Sequence, residues 1–186
     1  MAKVVVFTEY GPPEVLHVVD VDDPTPAGTE LRVGAAGVQP FGASYRRGVF
    51  AQYQPAMFPA RMGNDAAGVV DAGGAEVTGF AVRDEVITFV DAVGYPDTLV
   101  TRTAQTVHKR PTMPWVEAGV LSASGQTADT ALDALKITQR DHLLIHAAAG
   151  GGGSFAVQLA ITRGAGVIGT ANKPTMPTCA TSAPRR

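Results

Sequence analysis

Up to about residue 111, apolar and polar residues alternate in short runs that stop at glycine or proline. Residues 3–7, 16–21, 31–35, 68–72 and 85–90 read as β-strands on this pattern. Pro24, Pro26 and Gly28 mark one turn, Gly73 and Gly74 another, and Gly79 closes a loop before the next strand. Beyond residue 111 the period lengthens. Residues 115–121 and 127–135 place Ala, Leu and Val at helical intervals and predict two helices. An apolar strand at 142–146 follows, then a glycine run, then a helix over 155–162 with Phe155, Leu159 and Thr162 spaced i, i+4, i+7, and a strand at 166–170. Strand, loop, helix and strand in that order form a βαβ unit, whose strands run parallel with a right-handed crossover. The expected class is α+β to α/β: a β-barrel over residues 1–121, an incomplete Rossmann (βαβ) domain over 122–172, and an irregular tail over 173–186. The tail, KPTMPTCATSAPRR, has three prolines and no period, so it does not read as the next element of the sheet.

Composition narrows the function classes. Hydrophobic residues are 45% and charged residues 17% of the chain, which favours a buried core over disorder. A formal charge of -2 without a basic stripe argues against nucleic acid, and no basic cluster flanks an apolar helix, which argues against a membrane surface. The opening MAKVVVFTEYGPPE has too short an apolar run for a signal peptide, so a cytoplasmic location is expected. The single Cys179 allows no internal disulfide and no thiolate zinc site. His17, His108, His142 and His146 lack ligand spacing, and no metal is expected.

The run HAAAGGGGS, residues 146–154, lies between a predicted strand and a predicted helix, the context in which a glycine pattern becomes a nucleotide-binding candidate. Ala147, Gly150 and Gly153 give A-x-x-G-x-x-G; a G-x-G-x-x-G pattern is also nearly present, with Ala148 in place of its first glycine. Glycine permits a tight turn and close approach of backbone to a pyrophosphate, and the helix N-terminus offers unpaired N–H groups. Gly150, Gly151, Gly152, Gly153 and Ser154 are therefore candidate cofactor contacts; a flexible spacer is the competing reading. Nucleotide preference is read at the end of the second strand, where an acid would accept a ribose hydroxyl. Here Thr170, Ala171, Asn172 and Lys173 supply no acid, which leans toward NADPH, with Thr170, Asn172 and Lys173 as candidates; a solvated lysine is the plain alternative.

VVVFTEYGPPEVL, GVQPFGASYRRG, GNDAAGVVDAGGAEVTGFAVRDEV, SGQTADTAL and HAAAGGGGSFAVQLA, in this order from residue 3 to about 172, resemble the zinc-free quinone-oxidoreductase branch of the medium-chain dehydrogenase/reductase family. The resemblance implies a GroES-like barrel followed by a Rossmann domain, NADPH as cofactor, and hydride transfer to a quinone or α,β-unsaturated carbonyl without zinc. It implies a small-molecule partner and a homodimer in full-length relatives. It places Gln39 where the family usually has an asparagine near the nicotinamide, Thr127 at a threonine close to the cofactor, and Asn64 where zinc-dependent relatives carry a histidine. Gly42 stands where an aspartate is common, and Gly152 replaces a usual valine. The implied substrate pocket takes Gln39, Phe41, Tyr45 and Asn64, with Arg46, Phe50 and Tyr53 at its opening. A helix-opening role competes for Thr127, and packing roles compete for the aromatic residues.

A six-stranded dinucleotide fold needs well over ~100 residues, and residues 141–186 number 46. A chain cut off inside its Rossmann domain is expected, and with it an alternative function: a catalytically inactive remnant, a non-enzymatic GroES-like module. Permissible codons from Asn172 onward, read two bases out of step, can encode QADHAYLRYLGAE, which resembles the family's next helix, so a frameshift is one reading of the tail and a genuine short form the other. Sequencing the coding strand beyond the Asn172 codon tests this: a shifted frame running on through further strands and helices is expected, and a frame closed by early stops would refute it.

Overall fold

The computed structural model describes residues 1–33 and 38–172. The chain divides into two compact units, residues 1–122 and 123–186.

The first unit opens with β1 (Ala2–Phe7) and β2 (Leu16–Val21), an antiparallel pair in continuous register from Ala2 opposite Val21 to Phe7 opposite Leu16. Val4, Val6 and Phe7 face inward while Val18 and Val19 lie on the surface, so β1 supplies the buried side of the pair. Next come β3 (Glu30–Val33), a short helix α1 (Pro40–Arg46), β4 (Asp65–Gly73), β5 (Glu85–Phe89), β6 (Leu99–Arg102) and β7 (Thr106–His108). These strands form one antiparallel sheet in the order β6-β3-β4-β5-β7, with a bulge between Arg32 and Val33. This is the expected GroES-like architecture. Leu31, Ala66, Val70, Val86, Val90 and Leu99 make its core. A second cluster holds Phe7, Ala60 and Met62, with Tyr45 and Phe58 edge-on to the Phe7 ring at 5.9 and 5.7 Å.

Between the strands lies a buried hydroxyl network. Thr88 shares a 2.6 Å hydrogen bond with Thr101 and donates to the Gln105 carbonyl at 3.0 Å, while the Thr106 hydroxyl lies 3.2 Å from that of Thr88 and donates to the Arg102 carbonyl at 2.9 Å. Threonine suits both sides of this arrangement, because its branched Cβ favours strands and its hydroxyl is satisfied once buried.

Helix α2 (Trp115–Ala134) begins in the first unit and ends in the second. The sequence pattern predicts two helices here, and the structure has one. Ser122, Ser124, Gly125 and Thr127 blur the period, but Thr127 bonds back to the Ala123 carbonyl at 2.7 Å and the helix runs through. The second unit continues with β8 (His142–Ile145), α3 (Gly151–Thr162) and β9 (Gly166–Gly169). β8 and β9 pair in parallel, His142 opposite Gly166 through Ile145 opposite Gly169, as the βαβ pattern requires. Helix α3 starts four residues before its predicted start and buries Val157 and Ala160, with Leu159 of the predicted stripe packed partly buried against the core. Leu132, Ala160 and Ala165 form the core with Leu143 and Val167. Arg163 bridges Asp129 at 2.5 Å and Asp133 at 2.7 Å, tying the turn after α3 to α2. Among the described residues, no helix is long and apolar enough to cross a membrane.

Phe7 has no exposed surface and anchors three aromatic neighbours' packing through the second cluster. Phe7→Ala is expected to lower stability by roughly 3 to 5 kcal/mol, measured as a shift in the midpoint of urea unfolding with an unchanged slope.

Candidate functional site

Two candidate sites are described, one within each unit. In the second, the strand-to-helix turn after β8 is built by residues 146–150. Ala147 takes φ +53, a left-handed conformation that costs an alanine about 1 kcal/mol or more. Its carbonyl accepts from the Gly150 N–H at 2.8 Å, and the Ala148 N–H donates to the Thr170 carbonyl at 2.9 Å, so the turn is pinned to the end of β9. Gly150 caps α3, and Gly151, Gly152 and Gly153 are not a loop but the helix's first turn. Helix geometry leaves their N–H groups without intrahelical acceptors, a ready site for an anion. The Ser154 N–H already bonds the Gly150 carbonyl at 2.8 Å and its hydroxyl the Gly151 carbonyl at 2.9 Å. Ser154 therefore serves the turn's own geometry.

The three glycines differ in what they permit. A Cβ on Gly153 would collide with the backbone of Ala147 and Ala148, whereas one on Gly152 would meet nothing within 4 Å. Gly153 fixes close helix–strand packing; Gly152 is not required by the fold. Beside the turn is an open cleft of about 450 Å³ lined by Ala147, Ala149, Gly150, Thr170, Ala171 and Asn172. The structure thus brings Gly150, Thr170 and Asn172 of the expected set together. His146 Nδ1 lies 2.9 Å from the Thr170 hydroxyl, a contact the sequence pattern does not reveal. Lys173 lies outside the described residues. Thr127 is mid-helix rather than helix-opening, and its side chain is exposed.

In the first unit, Phe41, Tyr45 and Asn64 do line one cleft, of about 270 Å³, together with Gln54, Arg61, Met62, Gly63, Asp91 and Ala92. Phe41 and Tyr45 stack one helical turn apart, 6.2 Å between centroids and 8° between planes, and Phe50 stacks on Phe41 at 5.3 Å. Asn64 Nδ2 donates to the Val90 carbonyl at 3.1 Å and reaches Asp91 at 3.5 Å, which leaves its Oδ1 as the outward group. Gln39 lies apart from the lining: its Nε2 donates to Asp65 at 2.6 Å and to the Val120 carbonyl at 3.2 Å. Asp65 is wholly buried and also receives the Ser122 hydroxyl at 2.5 Å. Of the residues expected at the opening, Tyr53 is exposed, but Arg46 is buried and donates to the Gly11 carbonyl at 2.7 Å, a structural role that its charge conceals in the sequence. Sequence reasoning also missed Arg61 and Asp91. The signal for Arg61 was available: it is the one charged residue in the apolar stretch around Met57–Gly63, AMFPARMGN. Tyr95 packs on Gly63 and Gly42; burial, and then the negative charge of Asp65, push its phenol above the usual tyrosine value. Among the described residues, no three His, Cys, Asp or Glu side chains converge in a way that could hold a metal ion.

Residues 26–156 match the alcohol dehydrogenase GroES-like domain model. The chain is 34% identical over 178 residues to a quinone oxidoreductase of Pseudomonas aeruginosa, covering 94% of this chain and 54% of that protein. Among solved structures, the Escherichia coli quinone oxidoreductase complexed with NADPH superimposes with a TM-score of 0.81 at 26% identity, covering 97% of this chain and 56% of that one. The CurK enoyl reductase gives 0.88 at 28% identity, covering 97% and 57%. The chain spans about half the length of the curated relatives it matches.

The glycine turn yields three paired expectations in chemical denaturation. Gly153→Ala should lose roughly 1 to 3 kcal/mol, Ala147→Gly should gain about 1 kcal/mol, and Gly152→Ala should be neutral or gain up to about 1 kcal/mol. Equal losses at Gly152 and Gly153 would refute the assignment of roles within the turn.

Proposed function

This chain belongs to the medium-chain dehydrogenase/reductase family, on its quinone-oxidoreductase branch, and from that premise we propose that it serves an NADPH-dependent reduction of quinones or α,β-unsaturated carbonyls without zinc, in the cytoplasm. The observation that carries the reading is the turn into α3, where the N-cap Gly150 shares a cleft of about 450 Å³ with Thr170 and Asn172 just beyond β9. Those residues fit a dinucleotide. The N–H groups of Gly151, Gly152 and Gly153 would hold the pyrophosphate, and the absence of a Cβ at Gly152 leaves its approach open. Thr170 and Asn172 lie at the strand end, where a 2′-phosphate is read and where a carboxylate would repel it.

NADPH supplies a hydride to an electron-poor conjugated carbon, chemistry that needs no Lewis acid when conjugation already activates the acceptor. The protein's part is to hold planar partners in place. Phe41 and Tyr45 offer a stacked aromatic wall for such an acceptor. Asn64 occupies the place of the zinc histidine, and its amide nitrogen is already engaged by the Val90 carbonyl. This reading assigns no metal there, and stoichiometric zinc in the purified protein would overturn that assignment.

Titration of the purified chain with NADPH, followed by nicotinamide fluorescence, tests the cofactor reading. Saturable binding is expected, with Asn172→Asp weakening NADPH roughly tenfold while affecting NADH far less. A folded chain indifferent to NADPH would instead support the non-enzymatic module.

A further inference from the structure

The cleft of the first unit has a polar asymmetry that bears on its ligand. Arg61 and Asp91 both line it, and they form no ion pair with each other or with any other described residue. The stem of Arg61 passes over Gly94, where a Cβ would lie 3.3 Å from its Cγ and Cδ. The stem is thereby supported while the guanidinium stays in solvent at the cleft. Arginine's planar fork donates and cannot accept, so this wall offers donors to a carbonyl oxygen. Two other lining residues have the opposite sense. Asn64 has both amide hydrogens directed at the Val90 carbonyl and the Asp91 carboxylate, so its Oδ1 can only accept, and Asp91 itself accepts. Phe41 and Tyr45 supply a flat aromatic face in the same cleft.

We propose that this cleft selects conjugated carbonyl compounds that also carry a hydroxyl: the carbonyl oxygen is received by Arg61, the hydroxyl by Asp91 and Asn64 Oδ1, and the ring lies against Phe41 and Tyr45. This rests on the enone and quinone reading above and names the subclass of that substrate. A simple enone brings no donor to Asp91 or to Asn64 Oδ1 in the complex. A methyl ether in place of the hydroxyl leaves them facing an acceptor, which costs more than the missing hydrogen bond.

The test uses three ligands of one skeleton, benzalacetone and its 4-hydroxy and 4-methoxy derivatives, titrated calorimetrically into the 186-residue chain at a pH where the phenol is protonated. In the unaltered protein the hydroxy compound is expected to bind roughly tenfold more tightly than the methoxy compound, the ratio that one hydrogen bond to a charged acceptor provides. Asp91→Ala should shrink that ratio to about twofold or less, and Arg61→Met, which keeps the stem, should weaken all three ligands several-fold. Both side chains are exposed, and an unchanged melting temperature confirms that the variants fold. If the enones bind but hydroxy and methoxy forms bind equally, or if Asp91→Ala leaves their ratio intact, the selectivity proposal is overturned and the broader substrate reading stands. If the folded chain binds none of the three, both fall together.

Discussion

A carboxylate with no exposed surface sits at the first residue of β4, and the first unit is arranged around keeping it paired. Burying an ionised Asp65 costs several kcal/mol unless every lone pair finds a donor. Two of its donors come from places far apart in sequence: the Gln39 amide at the start of α1 and the Ser122 hydroxyl in α2, which also lies 3.1 Å from the Thr88 carbonyl of β5. A chain that satisfies Asp65 has therefore already set α1 and the first half of α2 against the sheet. The same tie dictates what Gln39 can do. With its nitrogen committed to Asp65 and Val120, the amide presents its oxygen, so an acceptor is all it has left to offer.

The second unit depends on a backbone constraint instead. The turn after β8 reverses direction through Ala147 in a left-handed conformation, a place where glycine would be free of strain. The strain is held by the Ala148 to Thr170 and Gly150 to Ala147 hydrogen bonds and by the close crossing at Gly153. What the turn displays to a ligand is N–H groups alone. Such a site is insensitive to side-chain identity at Gly152, where a Cβ would meet nothing within 4 Å.

The sequence was most informative where period and punctuation agree. β1, β2, β5, β8 and β9 were legible from alternation or short apolar runs bounded by glycine, and the βαβ order implied the parallel pairing of β8 with β9. β6 and β7 were not, since Leu99–Arg102 and Thr106–His108 are too short for a period and hold their place through the threonine network. Helix α1 was hidden for a related reason. It has seven residues including Pro40 and Gly42, weak helix formers that tertiary contacts override: Arg46 bonds Gly11, and Tyr45 packs edge-on to Phe7. At the sites, residues acting through the backbone were readable from the glycine pattern. Phe41, Tyr45 and Asn64 came from the family resemblance. Arg61 and Asp91 came from neither, because their role follows from convergence of loops that no local pattern encodes.

That convergence also accounts for a departure from the family pattern at Gly42. An ideal Cβ there would lie 2.9 Å from the Tyr95 hydroxyl and 3.3 Å from the Met62 sulfur. Gly63, at φ +103, leaves no better room, since its Cβ would stand 2.7 Å from the Tyr95 ring. Tyr95 itself adopts φ +48, unfavourable for a bulky side chain, so its position is imposed by the surrounding packing rather than by local preference. The glycines and the tyrosine form one set: a side chain at position 42, such as the aspartate that the family resemblance implies there, would press on the Tyr95 hydroxyl and the Met62 sulfur. Shortening Tyr95 would remove the nearer of these contacts, while leaving Gly63 its positive φ. Gly42, Gly63 and Tyr95 therefore belong to one packed wall of the first unit, in which the size of one residue sets what the others can be.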